Sequence, residues 1–223
     1  ERVGIKSEVH RLNSDISEKD LIVLIEGLNS NNEIDGILIQ LPLPSHINSF
    51  HVLSTIKANK DVDGLSPHNQ GLLAMGKEGH VPCTPKGIMF MLESLKISLA
   101  GKRACVIGRS LLVGFPIATL LMRANATVTI IHSKTQNAKA LSKEADILIV
   151  AAGKHHLVDE TWVKKDAVVI DVGIHKVNGK LTGDVLFDRV KESCGFVSPV
   201  PGGVGPLTVS SLLQNCLNAL AAS

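Results

Sequence analysis

Gly108, Arg109 and Ser110 are the residues whose types and spacing most directly suggest chemistry. They lie in segment 101–133, which reads as a strand, a turn with glycines, a helix and a second strand. Glycines in such a turn let the backbone approach a ligand, and the N-terminus of the following helix favours an anion. The glycines stand at positions 108 and 114, so the match to the general G-x-G-x-x-G motif is partial. The pattern predicts a site for the phosphates of a dinucleotide.

The end of the second predicted strand indicates which dinucleotide binds. An NAD-binding unit usually has Asp or Glu there, about 20 residues further on, to accept hydrogen bonds from the ribose 2′-hydroxyl. This sequence has His132-Ser133-Lys134 instead. Ser133 can donate to a 2′-phosphate and Arg109 can pair with it, which favours NADP over NAD. The alternative is that Ser133 caps the next helix and that Arg109 is a solvated loop residue.

Two polar side chains in the first third of the chain are candidates for contact with a substrate. Gln40 ends an apolar run, 35–41, that predicts a strand in a parallel sheet, and ligands bind outside the carboxyl ends of such strands. Asp63 follows Asp61 in a turn that lacks the further oxygen ligands of a calcium loop, so no metal is expected. A carboxylate that accepts hydrogen bonds from a substrate is favoured. Solvated polar residues remain the alternative at both positions.

A loop rich in proline and glycine, 199–206, precedes the last helix. Its composition excludes a helix or a ladder and predicts a shaped loop whose backbone amides face a ligand. Apolar residues that repeat with helical spacing follow it, and they are expected to be buried: Val209, Leu212, Leu213, Cys216, Leu217 and Leu220. Packing of this helix on the first domain would place both linkers side by side next to a cleft.

The elements that position these residues predict an α/β fold. Strands at 104–107, 126–131, 147–151 and 167–172 alternate with helices, which indicates a Rossmann-like, doubly wound parallel sheet. Upstream, strands at 4–12 and 35–41 and helices at 17–29 and 48–58 predict a smaller, N-terminally incomplete α/β domain, with a cleft between the two. Thr84 is the expected N-cap of the linking helix, and Pro85 its first residue. His155 and His156 are assigned to a surface loop, where adjacent side chains face different ways.

Composition excludes several classes of function. The 223 residues include 23 basic and 21 acidic ones, so there is no basic patch for nucleic acid or an anionic membrane. The four cysteines are far apart, so a zinc site is not expected and a reducing compartment is the simplest context. No apolar run approaches the roughly 20 residues of a membrane-spanning helix. We expect a small-molecule substrate and a cytoplasmic location, with an organelle matrix left open.

Several motifs occur in order along the chain and resemble one family. They are QLPLP at 40–44, KDVDG at 60–64, PCTP at 82–85, GRS at 108–110 with Val113-Gly114, DVGI at 171–174 and PVPGGVGP at 199–206. Together they closely resemble the bifunctional methylenetetrahydrofolate dehydrogenase/methenyltetrahydrofolate cyclohydrolase family. The resemblance implies oxidation of 5,10-methylenetetrahydrofolate by NADP, hydrolysis of the product to 10-formyltetrahydrofolate, and a homodimer.

The resemblance also implies roles for individual residues. Gln40 and Asp63 are the implied catalytic residues, and Asp63 would hold the pterin edge. The other residues implied at the folate site are Ile39, Leu41, Pro201, Gly202, Gly203, Val204 and Gly205. The residues implied at the NADP site are Gly108, Arg109, Ser110, Ser133 and, through its backbone, Ile174. Residues 1–85 and 207–223 would form the folate-binding domain, and 86–206 the NADP-binding domain.

Hydrolysis requires a general acid/base, which in the family is a Lys in a Tyr-x-x-x-Lys motif. The sequence contains no Tyr, and the motif belongs to a segment upstream of the region where this sequence begins at Glu1. Either the sequence is a truncated record, or the protein lacks that segment and its cyclohydrolase activity is crippled. Lys60 and Lys86 are weak candidates for a substitute. A non-catalytic or dehydrogenase-only homologue that binds NADP and folate is the alternative function.

Some positions differ from the residues that are usual in the family. Leu111 and Phe115 occupy turn positions that are often polar, basic or small, and Leu207 stands where Met is usual. His175 stands where Asn is common. Because Phe115 lies near the expected phosphates, we expect its ring to weaken cofactor binding.

Overall fold

The computed structural model describes residues 3–221, and its centre is a five-stranded parallel sheet. The strand order is β2-β1-β3-β4-β7. The strands are β1 (Arg103–Ile107), β2 (Thr127–Ile131), β3 (Ile147–Val150), β4 (Val168–Asp171) and β7 (Phe196–Val197). The four strands predicted for this sheet therefore form and are parallel, which confirms the α/β assignment.

The central strands form because their side chains are apolar on both faces. All four residues of β3 and the last four of β1 are buried, as expected when helices cover both sides of a parallel sheet. One face packs against the helices α4 (Cys83–Ser94) and α5 (Gly114–Arg123). The other face packs against segments around α6 (Ala138–Lys143) and α7 (Phe187–Val190).

The first part of the chain is helical. It contains α1 (Glu18–Ser30), α2 (Ser49–Thr55) and α3 (Pro67–Met75). The N-caps of these helices are Ser17, Asn48 and Ser66, and each side-chain oxygen accepts a hydrogen bond from a backbone N–H of the first turn. The helices α1 and α2 match the predicted segments, whereas α3 was not predicted. Leu21, Ile25 and Val52 form the centre of a separate apolar core here.

The two strands predicted in this first part are wrong. Segment 4–12 has no strand, and segment 35–41 has a single parallel bridge between Ile37 and Asp61. Within residues 3–221 no neighbouring strand continues a ladder along either segment. An apolar extended segment becomes a strand only where a partner satisfies its backbone groups.

Two long helices join the two parts of the molecule. The helix α8 (Val204–Ala221) packs along α4, so the linkers lie side by side as predicted. The approach is close, because a Cβ at Gly87 would lie 2.9 Å from the backbone carbon of Leu207. The helix α4 begins at Cys83 with Pro82 as its cap, so the capping role predicted for Thr84 is wrong. Thr84 instead contacts Thr208, with 3.0 Å between their Oγ1 atoms.

The face of α8 that is buried differs from the predicted one. Ser211, Asn215 and Ala219 are buried, whereas Val209, Leu217 and Leu220 are more than half exposed. Small and polar residues occupy the buried line because the backbones of α4 and α8 lie too close for a row of leucines. Within the described range 3–221, no helix combines the length and apolar content that crossing a bilayer requires.

A short hairpin follows β4 and was not predicted. It consists of β5 (His175–Val177) and β6 (Lys180–Thr182), which pair antiparallel across a turn at Asn178 and Gly179. Three-residue strands give a period too short to recognise in the sequence. The hairpin returns the chain to the edge of the sheet, where Asp184 is buried beside Asp171.

Candidate functional site

The residues assigned to the cofactor lie along one edge of the sheet. Register pairs Ile107 with Ile131 and with Val150, and Val150 with Asp171, so the carboxyl ends of the four strands are level. Gly108 follows β1, Ser133 lies two residues beyond β2, and Ile174 lies three residues beyond β4. In open α/β sheets this edge is where ligands bind. The structure therefore brings the predicted cofactor residues to a single edge.

The turn after β1 requires glycine for steric reasons. Gly108 has a φ of 122°, and a Cβ there would lie 2.2 Å from the carbonyl oxygen of Ala151. A Cβ at Gly114 would lie 2.4 Å from the carbonyl oxygen of Gly108. Ser110 Oγ accepts hydrogen bonds from the N–H groups of Val113, at 3.2 Å, and Gly114, at 3.4 Å. These hydrogen bonds and close backbone contacts fix the conformation of the turn, which leads directly into the N-terminus of α5.

Arg109 and Ser133 have the features that binding of a phosphate requires. Both side chains are exposed, and within residues 3–221 neither forms a hydrogen bond or ion pair with another residue. The helix α6 has Asn137 as its N-cap, so the alternative that Ser133 caps this helix is wrong. A free guanidinium and a free hydroxyl at the ends of neighbouring strands fit the 2′-phosphate of NADP.

The two carboxylates of the Lys-Asp-Val-Asp-Gly turn differ in burial and in their hydrogen-bond partners. Asp61 is almost fully buried and accepts hydrogen bonds from the backbone N–H of Ser66, at 2.8 Å, and from Asn69 Nδ2, also at 2.8 Å. It therefore fixes the start of α3. Asp63 is half-buried, and burial raises the pKa of its carboxyl group, although a hydrogen bond with the Cys83 thiol acts in the opposite direction. Asp63 is the member of the pair that remains available to a ligand.

Gln40 lies at the end of an extended segment next to the segment of Asp63. The N–H of Ile37 donates to the carbonyl oxygen of Lys60 at 2.7 Å, and Ile37 forms a parallel bridge with Asp61, two residues before Asp63. The Gln40 amide is exposed, and its Nε2 donates to the carbonyl oxygen of Leu41 at 3.0 Å. Ile39 and Leu41 on either side are half-buried.

Gln70 connects the turn that contains Asp63 (the substrate turn, residues 60–64) with the turn after β1 (the cofactor turn, residues 108–114). The sequence analysis missed this residue. From α3, its Nε2 donates to the carbonyl oxygen of Gly64 at 3.1 Å and to that of Leu111 at 3.3 Å. Gly64 directly follows Asp63, and Leu111 directly follows Ser110. Both turns therefore meet at one amide group. Gln70 lies between residues 64 and 82, where the sequence contains no recognised motif, so no pattern there indicated this role.

The proline- and glycine-rich segment lies against the end of β4. Ser198 Oγ accepts a hydrogen bond from the N–H of Asp171 at 2.8 Å, which holds the start of this loop beside the cofactor edge. The prediction that 199–206 is entirely a loop is wrong, because α8 begins at Val204. Val204 is buried in the apolar core, while Pro201, Gly202 and Gly205 are exposed.

The ammonium groups of both candidate lysines are engaged in hydrogen bonds within the protein. Lys60 Nζ donates to the carbonyl oxygens of Leu28, at 3.3 Å, and Asn31, at 2.7 Å, so it holds the end of α1. Lys86 Nζ donates to Asn215 Oδ1 at 2.8 Å, and burial lowers the pKa of the Lys86 ammonium group. Asn215 in turn donates to the carbonyl oxygen of Val62, at 2.9 Å, next to Asp63. Lys60 begins the Lys-Asp-Val-Asp-Gly turn but its ammonium group is held by α1, whereas Lys86 is connected to the turn through Asn215.

Three histidines cluster beyond the ends of β3 and β4. His155 and His156 are exposed, as predicted, but their rings stack with centroids 3.6 Å apart, so the expectation that they face different ways is wrong. The ring of His175 lies 5.6 Å from that of His155. Burial lowers the pKa of His156, and the neighbouring histidines act in the same direction.

The fold and site together define a class of protein. A parallel doubly wound sheet has a dinucleotide-type turn after β1, and the Gln70 amide connects that turn to the carboxylate turn of the first part of the chain. This combination is characteristic of two-domain enzymes that use a dinucleotide cofactor.

Comparison with known proteins identifies the family. The model of the tetrahydrofolate dehydrogenase/cyclohydrolase catalytic domain matches residues 1–63, and that of the NAD(P)-binding domain of the same family matches residues 82–223. The bifunctional protein FolD of Brevibacillus brevis is 49% identical over 220 residues, which cover 98% of this chain and 78% of the relative. The chain belongs to the tetrahydrofolate dehydrogenase/cyclohydrolase family.

Solved structures agree with this assignment. One is the bifunctional enzyme FolD, a methylenetetrahydrofolate dehydrogenase/cyclohydrolase from Campylobacter jejuni, with a TM-score of 0.95 and 45% identity. The match covers 99% of this chain and 79% of the Campylobacter jejuni chain. The Trypanosoma brucei enzyme, solved with NADP and an inhibitor, has a TM-score of 0.89 at 40% identity. That match covers 94% of this chain and 74% of the Trypanosoma brucei chain.

Proposed function

We propose that this protein oxidises 5,10-methylenetetrahydrofolate with NADP and hydrolyses the methenyl product to 10-formyltetrahydrofolate. Family membership supports both reactions. The single observation that supports a shared site is the Gln70 amide, which joins the turn of Asp63 to the turn of Arg109 and Ser110. Substrate and cofactor would then meet between the two lobes.

On the substrate side, Asp63 is proposed to hold the pterin ring. Its carboxylate can accept two hydrogen bonds from the N–H groups along one edge of that ring, and such charged hydrogen bonds are strong. Ile39, Gln40 and Leu41 would line the folate site beside it. The segment from Pro201 to Gly205, which includes the start of α8, would close over the ligand and exclude water, because it is held beside the sheet edge through Ser198.

On the cofactor side, Gly108 would let the turn approach the phosphates and Ser110 would place its backbone N–H toward them. Arg109 and Ser133 would bind the 2′-phosphate. The backbone at Ile174 would contact the remaining half of the cofactor. When bound, NADP supplies the hydride acceptor. The protein's part is to hold donor and acceptor about 3–3.5 Å apart in a dry cleft, since hydride transfer needs little acid/base chemistry.

Hydrolysis makes a different demand, because water addition and ring opening require proton transfers. Gln40 is proposed to hydrogen-bond and orient the group that transfers the proton. Within this sequence the Tyr-x-x-x-Lys motif of the family has no match. Lys60 is engaged with two carbonyl groups of α1 and is a poor candidate for the proton transfer.

Separate assays of the two half-reactions test the proposed function. We expect the 223-residue chain to reduce NADP in the presence of 5,10-methylenetetrahydrofolate, because the residues proposed for hydride transfer are all present. Hydrolysis of the methenyl compound by the same chain is expected to be much slower than oxidation. Absence of NADP reduction would refute the dehydrogenase assignment. Fast hydrolysis would contradict this last expectation.

The preference for NADP is tested by Ser133→Asp. We expect the variant to bind NADP roughly tenfold more weakly, since it replaces a donor with a charge that repels the 2′-phosphate. Affinity for NAD should stay the same or rise. Thr129→Asp adds the same charge at an exposed position of β2 and serves as the control. If titrations show the same NADP-to-NAD ratio for wild type and Ser133→Asp, Ser133 does not contact the phosphate.

The domain organisation of residues 1–223 is also part of the proposal. Residues 1–85 and 207–223 would form the folate-binding domain and 86–206 the NADP-binding domain, with α4 and α8 as the connections between them. A homodimer in the cytoplasm is inferred from the family resemblance.

A further inference from the structure

The carboxyl group of Asp184 is fully buried next to the ends of β3 and β4 and accepts three hydrogen bonds. Its Oδ2 accepts from the backbone N–H groups of Ala152 and Gly153, each at 2.8 Å. Its Oδ1 lies 2.7 Å from Nε2 of His175, and because a carboxylate only accepts, that nitrogen is the donor. Asp184 therefore links the turn after β3 to the residue that directly follows Ile174.

Neighbouring glycines make room for this link. A Cβ at Gly173 would lie 2.4 Å from Asp184 Oδ1, and a Cβ at Gly183 would lie 1.9 Å from Asp171 Oδ2. Asp171 also accepts a hydrogen bond from the N–H of Asp184 at 3.0 Å, which fixes the backbone that presents the Asp184 side chain. The position of Asp184 is thus determined from both sides, by the space available and by hydrogen bonds.

The location of the link relative to the cofactor follows from the sheet order. From β1 the chain passes to β2 on one side and to β3 and β4 on the other, so the order reverses between β1 and β3. A dinucleotide lies across such a point, with its two halves on opposite sides. On the proposed function, Ser133 beyond β2 binds the adenosine half. The nicotinamide half then extends toward Gly153 and Ile174, at the ends of β3 and β4.

Resting on the proposed function, we propose that Asp184 and His175 form a positioning pair that orients the nicotinamide half of NADP. The pair acts through the backbone. Asp184 holds the N–H of Gly153, and His175 restrains Ile174 through the peptide bond they share. Neither side chain takes part in hydride transfer. Without the pair, the two turns move independently and the cofactor ring loses the orientation that transfer requires.

Replacement of His175 tests the pair with two ligands. One is NADP, and the other is adenosine 2′,5′-bisphosphate, which has the 2′-phosphate and adenosine but no nicotinamide. We expect His175→Ala to bind NADP about tenfold more weakly, as loss of a hydrogen bond to a charged group predicts, and to have a lower kcat. Its affinity for the bisphosphate and its KM for the folate substrate should not change. His175→Asn retains an N–H donor and should restore most of the NADP affinity.

His155→Ala is the matched control. It removes an exposed imidazole ring from the same cluster that has no hydrogen bond to Asp184, so its NADP affinity should equal that of wild type. Unchanged NADP binding in His175→Ala would overturn the proposal. An equal weakening of NADP and bisphosphate would also overturn it, because the effect would then be a general loss of structure. A wild-type chain that binds neither ligand would instead refute the proposed function itself.

Discussion

Asp63→Asn is expected to lower kcat/KM for 5,10-methylenetetrahydrofolate by roughly 10- to 100-fold while leaving the affinity for NADP unchanged. The estimate corresponds to the loss of hydrogen bonds to a charged acceptor, each worth about 1.5–3 kcal/mol. Asparagine has nearly the same shape, but it presents one donor and one acceptor where the pterin edge requires two acceptors. Steady-state kinetics with varied folate at saturating NADP measures the effect.

The neighbouring Asp61 provides the control for Asp63. Asp61→Asn breaks contacts to Ser66 and Asn69 and should lower the free energy of unfolding by about 1–3 kcal/mol. Its kcat/KM per folded molecule should stay close to wild type. If Asp61→Asn impairs catalysis as much as Asp63→Asn does, the turn acts only as a scaffold and Asp63 does not contact the substrate.

The pH dependence of the same reaction gives an independent reading of Asp63. Burial raises the pKa of this carboxyl group in the free protein, so protonation begins at a higher pH than for a solvated aspartate, whose pKa is about 3.9. As pH falls, the acceptor is lost and KM for folate should rise. This rise should be absent from Asp63→Asn, because its amide does not titrate.

Gly108→Ala is expected to have the second large effect, a loss of both stability and NADP binding. The positive φ costs an L-residue about 1–2 kcal/mol, and crowding against the carbonyl oxygen of Ala151 adds typically about 1–3 kcal/mol. A displaced turn also misplaces Arg109 and the N-terminus of α5. Urea unfolding measures the stability, and titration of the folded variant with NADP measures the binding.

Gly101→Ala separates the two causes. Gly101 also has a positive φ, 75°, but a Cβ there would meet no atom within 4 Å. This variant should lose only the conformational part of the stability and should bind NADP normally. Equal losses in Gly101→Ala and Gly108→Ala would mean that the contact with Ala151 is unimportant and that the turn can shift without consequence.

The sheet was the part of the fold most open to prediction. Strands β1 and β3 are buried on both faces. A continuous apolar run such as Ile147–Val150 predicts this kind of strand, because all its side chains must be removed from water. Segment 35–41 has the same appearance but forms one bridge, because strand formation depends on a neighbour that the segment itself does not specify. The buried face of α8 was mispredicted for a related reason. Close contact with α4 selects small side chains, and that distance is a tertiary property.

The site was predictable where a motif has a local reason. The Gly108 turn and the Asp63 turn are read from residue types that their backbone or charge requires. Gln70 and the pair formed by Asp184 and His175 were not identified, because their function depends on partners 41 and 9 residues away in the chain, respectively. The sequence analysis grouped Asp61 with Asp63, and only their hydrogen bonds distinguish the structural carboxylate from the available one.

Direct hydrogen transfer between the two ligands is the central claim. It is tested with 5,10-methylenetetrahydrofolate that has deuterium on the methylene carbon, incubated with the protein and NADP. The account predicts that the reduced cofactor contains one deuterium atom by mass spectrometry, even in ordinary water, because donor and acceptor meet in one cleft. Reduced cofactor that contains only protium, or no reduced cofactor at all, would contradict it.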